Sequence, residues 1–259
     1  MYGQYLKNQK SKKTLVLIHG WCCDSSHFKK QIDAFKSKFN IYCANYSELV
    51  KTYDGTEDNI FFYCANKIQE EISQLELHNL CFIGHSMGGN IALMLANTLE
   101  RETIGSVIID TTMPMSSKAT EKFNAFFSNL VEKDFSAQER MVREFIESKC
   151  NTDYDSKNII KTIVDGMMLT WKTNSNQFNS LLRDAFKFDS SAALKKLRGP
   201  LMYIAATPPS GNLKELLEIK KTIDIQKVLS GHFVMLTQHA KTNELLANFL
   251  MPESSRSAD

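Results

Sequence analysis

Short apolar runs alternate with amphipathic stretches along most of this chain, and that alternation limits the folds open to it. Residues 15–18, 41–44, 80–83, 106–109, 201–204 and 223–229 read as strands. The central runs are continuously apolar, as expected for strands buried on both faces of a parallel sheet. Between them, residues 26–39, 60–75, 90–99 and 233–251 read as helices. In the second of these, Ile60, Cys64, Ile68, Ile72 and Leu75 share one face. Strands alternating with helices imply a mostly parallel sheet with helices on both faces. The alternation lapses over residues 115–188, where helix-like runs at 119–130, 136–148 and 159–171 occur with no clear strand. The expected organisation is therefore an α/β core made of residues 1–114 and 189–259, with a helical cap, 115–188, inserted between two strands.

Composition narrows the function. The formal net charge is only +2, and basic residues are interspersed with acids, so no strong field draws the chain to nucleic acid or membrane. The polar, lysine-rich residues 1–13 and the short apolar run behind them do not form a signal or membrane-spanning segment, so a cytoplasmic protein is expected. The six cysteines show no metal-ligand spacing and are expected as free thiols, with a redox role for the vicinal Cys22–Cys23 as the alternative.

The run Gly84-His85-Ser86-Met87-Gly88-Gly89 stands between an apolar strand and an apolar helix. This is the context that a nucleophile elbow requires. The serine sits on a sharp strand-to-helix turn, and residues two positions to either side must lack bulk. Ser86 is the expected nucleophile, and the Met87 N–H at the helix start is an expected oxyanion donor. His232 follows the last strand, at the end of the sheet where α/β folds bind ligands, and is the expected base. The remaining histidines fit less well: His27, His78 and His239 lie on or beside helices. The loop 205–212 after strand 201–204 contains no carboxylate, whereas Asp110 closes the strand 106–109 and is the expected partner of His232. Asp189 is the fallback, and Asp224 lies at the wrong end of its strand. His19-Gly20-Trp21, after the first strand, offers the Trp21 N–H as a second oxyanion donor and the indole as a wall, and Asp24 and Ser25 beyond it cap the next helix.

Together, His19-Gly20-Trp21, the Gly-His-Ser-Met-Gly-Gly elbow, the strand ending in Asp110 and Gly231-His232-Phe233 resemble the α/β-hydrolase superfamily over residues 12–251. The chain looks most like the small lidded serine carboxylesterases, a group that includes pimeloyl-ACP methyl ester esterases, other methyl-ester hydrolases and lactonases. Most relatives place the acid after the penultimate strand, where this chain has Pro209. Asp110 instead matches the end of the strand before the lid, where haloalkane dehalogenases carry a catalytic carboxylate.

The resemblance implies hydrolysis of a small or medium acyl ester through an acyl-enzyme, with no metal or organic cofactor. Other readings on the same fold are a C–C hydrolase, a lactonase or amidase, a cofactor-free haloperoxidase, or a weakly catalytic ligand-binding receptor. Met113, Met115, Phe126, Phe127, Met167 and Trp171 are candidates for an acyl pocket under the cap, and packing of the cap onto the core is the alternative for each. The partner is a small-molecule ester; a carrier-bound acyl chain would need an acidic carrier docked on Lys118, Lys122, Lys133, Arg140 and Arg143, and interleaved acids favour a solvated face instead.

Overall fold

The apolar runs of the sequence form the centre of a seven-stranded sheet. The computed structural model describes residues 1–55, 59–114 and 117–252. The strands are β1 (Gln4–Leu6), β2 (Thr14–Ile18), β3 (Asn40–Ala44), β4 (Leu80–His85), β5 (Thr103–Ile109), β6 (Leu201–Ala205) and β7 (Asp224–Lys227). Their spatial order is β1-β3-β2-β4-β5-β6-β7. Every neighbouring pair is parallel except β1 with β3. β2, β3, β4 and β6 are buried at every position, so both faces are covered.

The helices among the described residues are α1 (Lys29–Phe35), α2 (Tyr46–Thr52), α3 (Ile60–Gln74), α4 (Met87–Thr98), α5 (Ser117–Val131), α6 (Phe135–Glu147), α7 (Lys157–Thr173), α8 (Ser175–Ala185), α9 (Ser190–Lys196), α10 (Leu213–Ile219), α11 (Val234–Thr237) and α12 (His239–Leu250). α1, α11 and α12 pack together, and α3 and α4 pack with each other and with α8. None of the described helices is long and apolar enough to cross a membrane.

Several elements differ from the sequence expectation. β1 is short and partly exposed, so it has no apolar run to announce it. The stretch after β3, expected as a polar loop, contains α2, which buries Tyr46, Leu49 and Val50. The expected helix 26–39 begins as a 3-10 turn, Ser25–Phe28, capped by Asp24, whose side chain accepts from Ser26 N at 2.8 Å. The expected C-terminal helix is two helices, α11 and α12, and α8, α9 and α10 were not anticipated.

Register decides what meets at the carboxyl edge of the sheet. Ile18 of β2 pairs with Gly84 of β4, His85 with Ile109 of β5, and Ile109 with Ile204 of β6. The chain leaves β2 toward β3 on one side and returns to β4 on the other, which makes the β2/β4 junction the topological switch point where open α/β sheets open a crevice. His19, Ser86, Asp110 and Ala206 follow the aligned ends of β2, β4, β5 and β6 directly.

Candidate active site

Ser86 stands between β4 and α4 with φ 53° and ψ −127°, a conformation that a non-glycine residue keeps only when its surroundings impose it. The surroundings are specific. Ser86 N–H donates to Ile109 O at 2.9 Å, and Ser86 O accepts from Gly89 N at 2.9 Å and Thr111 Oγ1 at 2.7 Å. The two glycines of the motif are there for space. A Cβ on Gly84 would overlap the Gly88 backbone, and one on Gly88 would overlap the carbonyls of Ile18 and His19. Among the described residues Ser86 Oγ makes no hydrogen bond. Met87 opens α4, so its N–H has no acceptor within the helix.

Parallel register brings Asp110, at φ 40°, beside this turn, and its N–H donates to Ile204 O at 2.8 Å. Its carboxylate is buried and accepts on both oxygens. Oδ1 takes Ala206 N and Ser210 N, each at 3.0 Å; Oδ2 takes Ser210 Oγ at 2.6 Å and His232 Nδ1 at 2.7 Å. Ser210 Oγ also lies 3.2 Å from His232 Nδ1. Burial pushes the Asp110 carboxyl up, but the hydrogen bond and charge of His232, joined by Ser210, outweigh it and hold the group below the usual carboxylate range. The loop after β6 thus supplies donors to an acid on β5 rather than an acid of its own. Sequence reasoning missed Ser210, which shows no signal beyond its place next to Pro209.

His232 is held from several sides. Its N–H donates to Lys149 O at 2.9 Å, and its carbonyl accepts from His85 Nε2 at 3.0 Å. That bond puts the His85 proton on Nε2. Burial and the neighbouring His232 keep His85 neutral. Just upstream, the buried Asp155 carboxylate accepts Gly231 N at 3.2 and 3.1 Å and Ser230 Oγ at 3.4 Å, while Asn151 Nδ2 donates to Thr207 O at 2.7 Å. Residues 149–155, between α6 and α7, therefore clasp the loops after β6 and β7.

The loop after β2 is similarly fixed. His19 stacks on Tyr46 with ring centroids 4.1 Å apart, its Nδ1 donates to Gly20 O at 2.9 Å, and Tyr46 Oη donates to His19 O at 3.0 Å. Burial drives the His19 imidazole down to about 4, so it is neutral near pH 7. Trp21 Nε1 donates to Phe178 O at 2.7 Å, tying this loop to α8.

These groups meet at one cavity. It has about 640 Å³ of space not filled by atoms, including a mouth open to solvent. Trp21, Ser86, Met87 and His232 line it from the sheet side; Phe123, Phe145, Lys149, Met167, Leu182 and Phe186 line it from the helices between β5 and β6.

The profile of the alpha/beta hydrolase fold family matches residues 13–205. The chain belongs to the α/β-hydrolase family. Two mycoplasma proteins bearing the name "Putative esterase/lipase 2" are similar to this α/β-hydrolase. The Mycoplasma genitalium protein is 25% identical over 192 residues, covering 70% of this chain and 68% of its own. The Mycoplasma pneumoniae protein is 24% identical over 160 residues, covering 61% of this chain, which spans only 56% of that relative's length. Among solved structures, MenH from S. aureus superposes with a TM-score of 0.77 at 14% identity, covering 98% of this chain and 99% of its own. At that identity the likeness speaks for the fold.

Of the pocket residues expected in this hydrolase, Met167 lines the cavity and Met115 lies outside the described residues. Met113, Phe126, Phe127 and Trp171 do not line it, and each has a packing reason. Met113 is fully buried, with its carbonyl accepting Asn212 N at 3.1 Å. Phe126 and Phe127 join an aromatic cluster with Phe145 and Phe186. Trp171 stacks on Phe135 and donates to Asn179 Oδ1 at 2.9 Å. Sequence reasoning missed Phe145, Lys149 and Phe186, because which side of a helix end faces a cavity depends on how the helices pack.

Proposed function

We propose that this α/β-hydrolase cleaves carboxylic esters with Ser86 as nucleophile, His232 as general base and Asp110 as the residue that orients and charge-stabilises the imidazole. The observation that carries the reading is the 2.7 Å contact of Asp110 Oδ2 with His232 Nδ1, on a cavity also lined by the strained Ser86. With Nδ1–H donated to Asp110, Nε2 is free to accept a proton.

His232 takes the Ser86 proton as Oγ attacks the ester carbonyl. The Met87 and Trp21 N–H groups stabilise the oxyanion. As the tetrahedral species collapses, the C–O bond to the alcohol breaks and His232 returns the proton to the leaving oxygen. Water, deprotonated by His232, then attacks the acyl carbon and releases the acid and Ser86. Residues 115–188 serve as the cap that closes the site, and the apolar wall of Trp21, Met87, Phe123, Phe145 and Met167 suits the acyl group of a small or medium ester. The fold likeness leaves lactones as substrates of the same chemistry.

Steady-state hydrolysis of short p-nitrophenyl esters tests this reading, with the Ser86→Ala variant alongside. Turnover and fluorophosphonate labelling are both expected to disappear with Ser86. A wild-type protein that neither turns over esters nor takes the label would sink the proposal.

A further inference from the structure

We propose that Lys149 recognises a carboxylate on the substrate, so that the preferred esters are half-esters of short dicarboxylic acids; the proposal rests on the reading of the Ser86 site as an ester hydrolase. Among the described residues lining the cavity, Lys149 is the sole lysine or arginine, set among Trp21, Met87, Phe123, Phe145, Met167 and Leu182. A lysine normally carries its ammonium to water or to an acid. Elsewhere in this fold, Lys161, Lys172 and Lys187 pair with Asp165, Glu139 and Asp184 at 2.6, 2.6 and 2.7 Å. Lys149 Nζ makes no hydrogen bond or ion pair among the described residues and lies 5.1 Å above the Phe145 ring. Asp110, whose charge acts on it, is already engaged by His232 and Ser210. Burial correspondingly pulls the Lys149 ammonium below its usual range.

A partly desolvated cation without a protein anion is unfavourable in the empty site and becomes favourable when a ligand brings the anion. That anion would sit in the cavity that Ser86 and His232 also line, with the Lys149 ammonium near enough to feel the Asp110 charge. A carboxylate held there and an ester carbonyl at Ser86 share one cavity, which calls for a short spacer between them. A single ammonium in an apolar wall, with Asp110 nearby, balances one negative charge. A phosphate dianion would leave a charge uncompensated, which favours a carboxylate.

The test compares matched methyl esters: monomethyl succinate and monomethyl glutarate against methyl butyrate and methyl valerate, with hydrolysis followed by pH-stat. Wild type is expected to favour the half-esters in kcat/KM by roughly tenfold or more, the scale of one charge-assisted hydrogen bond. Lys149→Met is expected to lower that ratio by a similar factor, mainly through KM, and Lys149→Arg to restore part of it. Using a ratio cancels any indirect effect on His232. A wild type without preference for the half-esters, or a Lys149→Met enzyme that keeps the preference, overturns the proposal.

Binding of glutarate to the Ser86→Ala protein, followed by isothermal titration calorimetry, is independent of turnover. Loss of that binding in Ser86→Ala/Lys149→Met supports carboxylate recognition even if no ester is cleaved and the esterase reading falls. Equal binding to both proteins refutes it while leaving the esterase reading intact. Tighter binding of inorganic phosphate than of glutarate also overturns the carboxylate assignment.

Discussion

Replacing Asp110 by asparagine isolates the proposed role of the carboxylate, because asparagine keeps the size of the side chain and, after glycine, is among the neutral residues that best tolerate the φ of 40° found there. The amide has one acceptor end and one donor end, and the structure decides which way it faces. With the oxygen on the Oδ1 side, the bonds from Ala206 N and Ser210 N, both 3.0 Å, survive. The opposite orientation leaves both N–H groups facing a donor, at a cost of about 1–3 kcal/mol each. The NH₂ group is therefore turned toward Ser210 Oγ and His232 Nδ1. Ser210 Oγ can rotate to accept, but Nδ1–H cannot. The imidazole moves its proton to Nε2, the nitrogen that must accept from Ser86. The expected result is a loss of about 10⁴ in kcat with little change in KM, equivalent to about 5 kcal/mol of barrier. Losing a charge-assisted bond also lowers folding stability by about 1.5–3 kcal/mol in urea denaturation. A folded Asp110→Asn enzyme that hydrolyses p-nitrophenyl butyrate within tenfold of the wild-type kcat would refute the reasoning.

Three further outcomes are expected. Ser210→Ala removes the 2.6 Å donor to Asp110 Oδ2 while keeping the backbone bond, and should cost about tenfold in kcat; an unchanged rate would show that the hydroxyl contributes nothing to placing the acid. Gly88→Ala forces a Cβ onto the Ile18 and His19 carbonyls and should lower stability by about 1–3 kcal/mol or more; a melting temperature equal to wild type would contradict so close an approach. His19 titrates near 4 when folded against an ordinary 6.5, so below pH 6.5 the unfolded chain binds the extra proton. The stabilisation present above pH 6.5 falls by about 3 kcal/mol as the pH drops toward 4. His85, also held low by burial, acts in the same direction, and Asp110 extends the loss at still lower pH. Urea midpoints that stay flat between pH 7.5 and 5 would contradict this.

What could be read from the sequence follows the range of the forces involved. The elbow is legible because its demands fall on fixed positions around the serine: Gly84 clears a path for the Gly88–Gly89 backbone within the motif, and Gly88 for the Ile18 and His19 carbonyls at the end of β2. The central strands are legible because burial on both faces writes itself as an unbroken apolar run. Asp110 is legible as a charge closing such a run. β1 and α2 escape because one is a half-exposed edge and the other buries only part of a short, polar-looking segment. The cavity wall escapes for a different reason. Phe123 and Phe186 stack at 3.7 Å from helices far apart in the chain, and no periodicity in either helix predicts that meeting. Lys149 looks like any lysine at the end of a charged helix until the fold sets it in the cavity wall, half-buried.

The clasp between residues 149–155 and the loops after β6 and β7 works as an interlock. His232 N bonds to Lys149 O, Gly231 N to the Asp155 carboxylate, and Thr207 O to the Asn151 amide. The segment that contributes Lys149 to the cavity wall therefore also holds the histidine in line with its carboxylate. Lifting it far enough to admit bulk water would break those bonds and release the histidine loop in the same movement. An open site of this construction is a disarmed one.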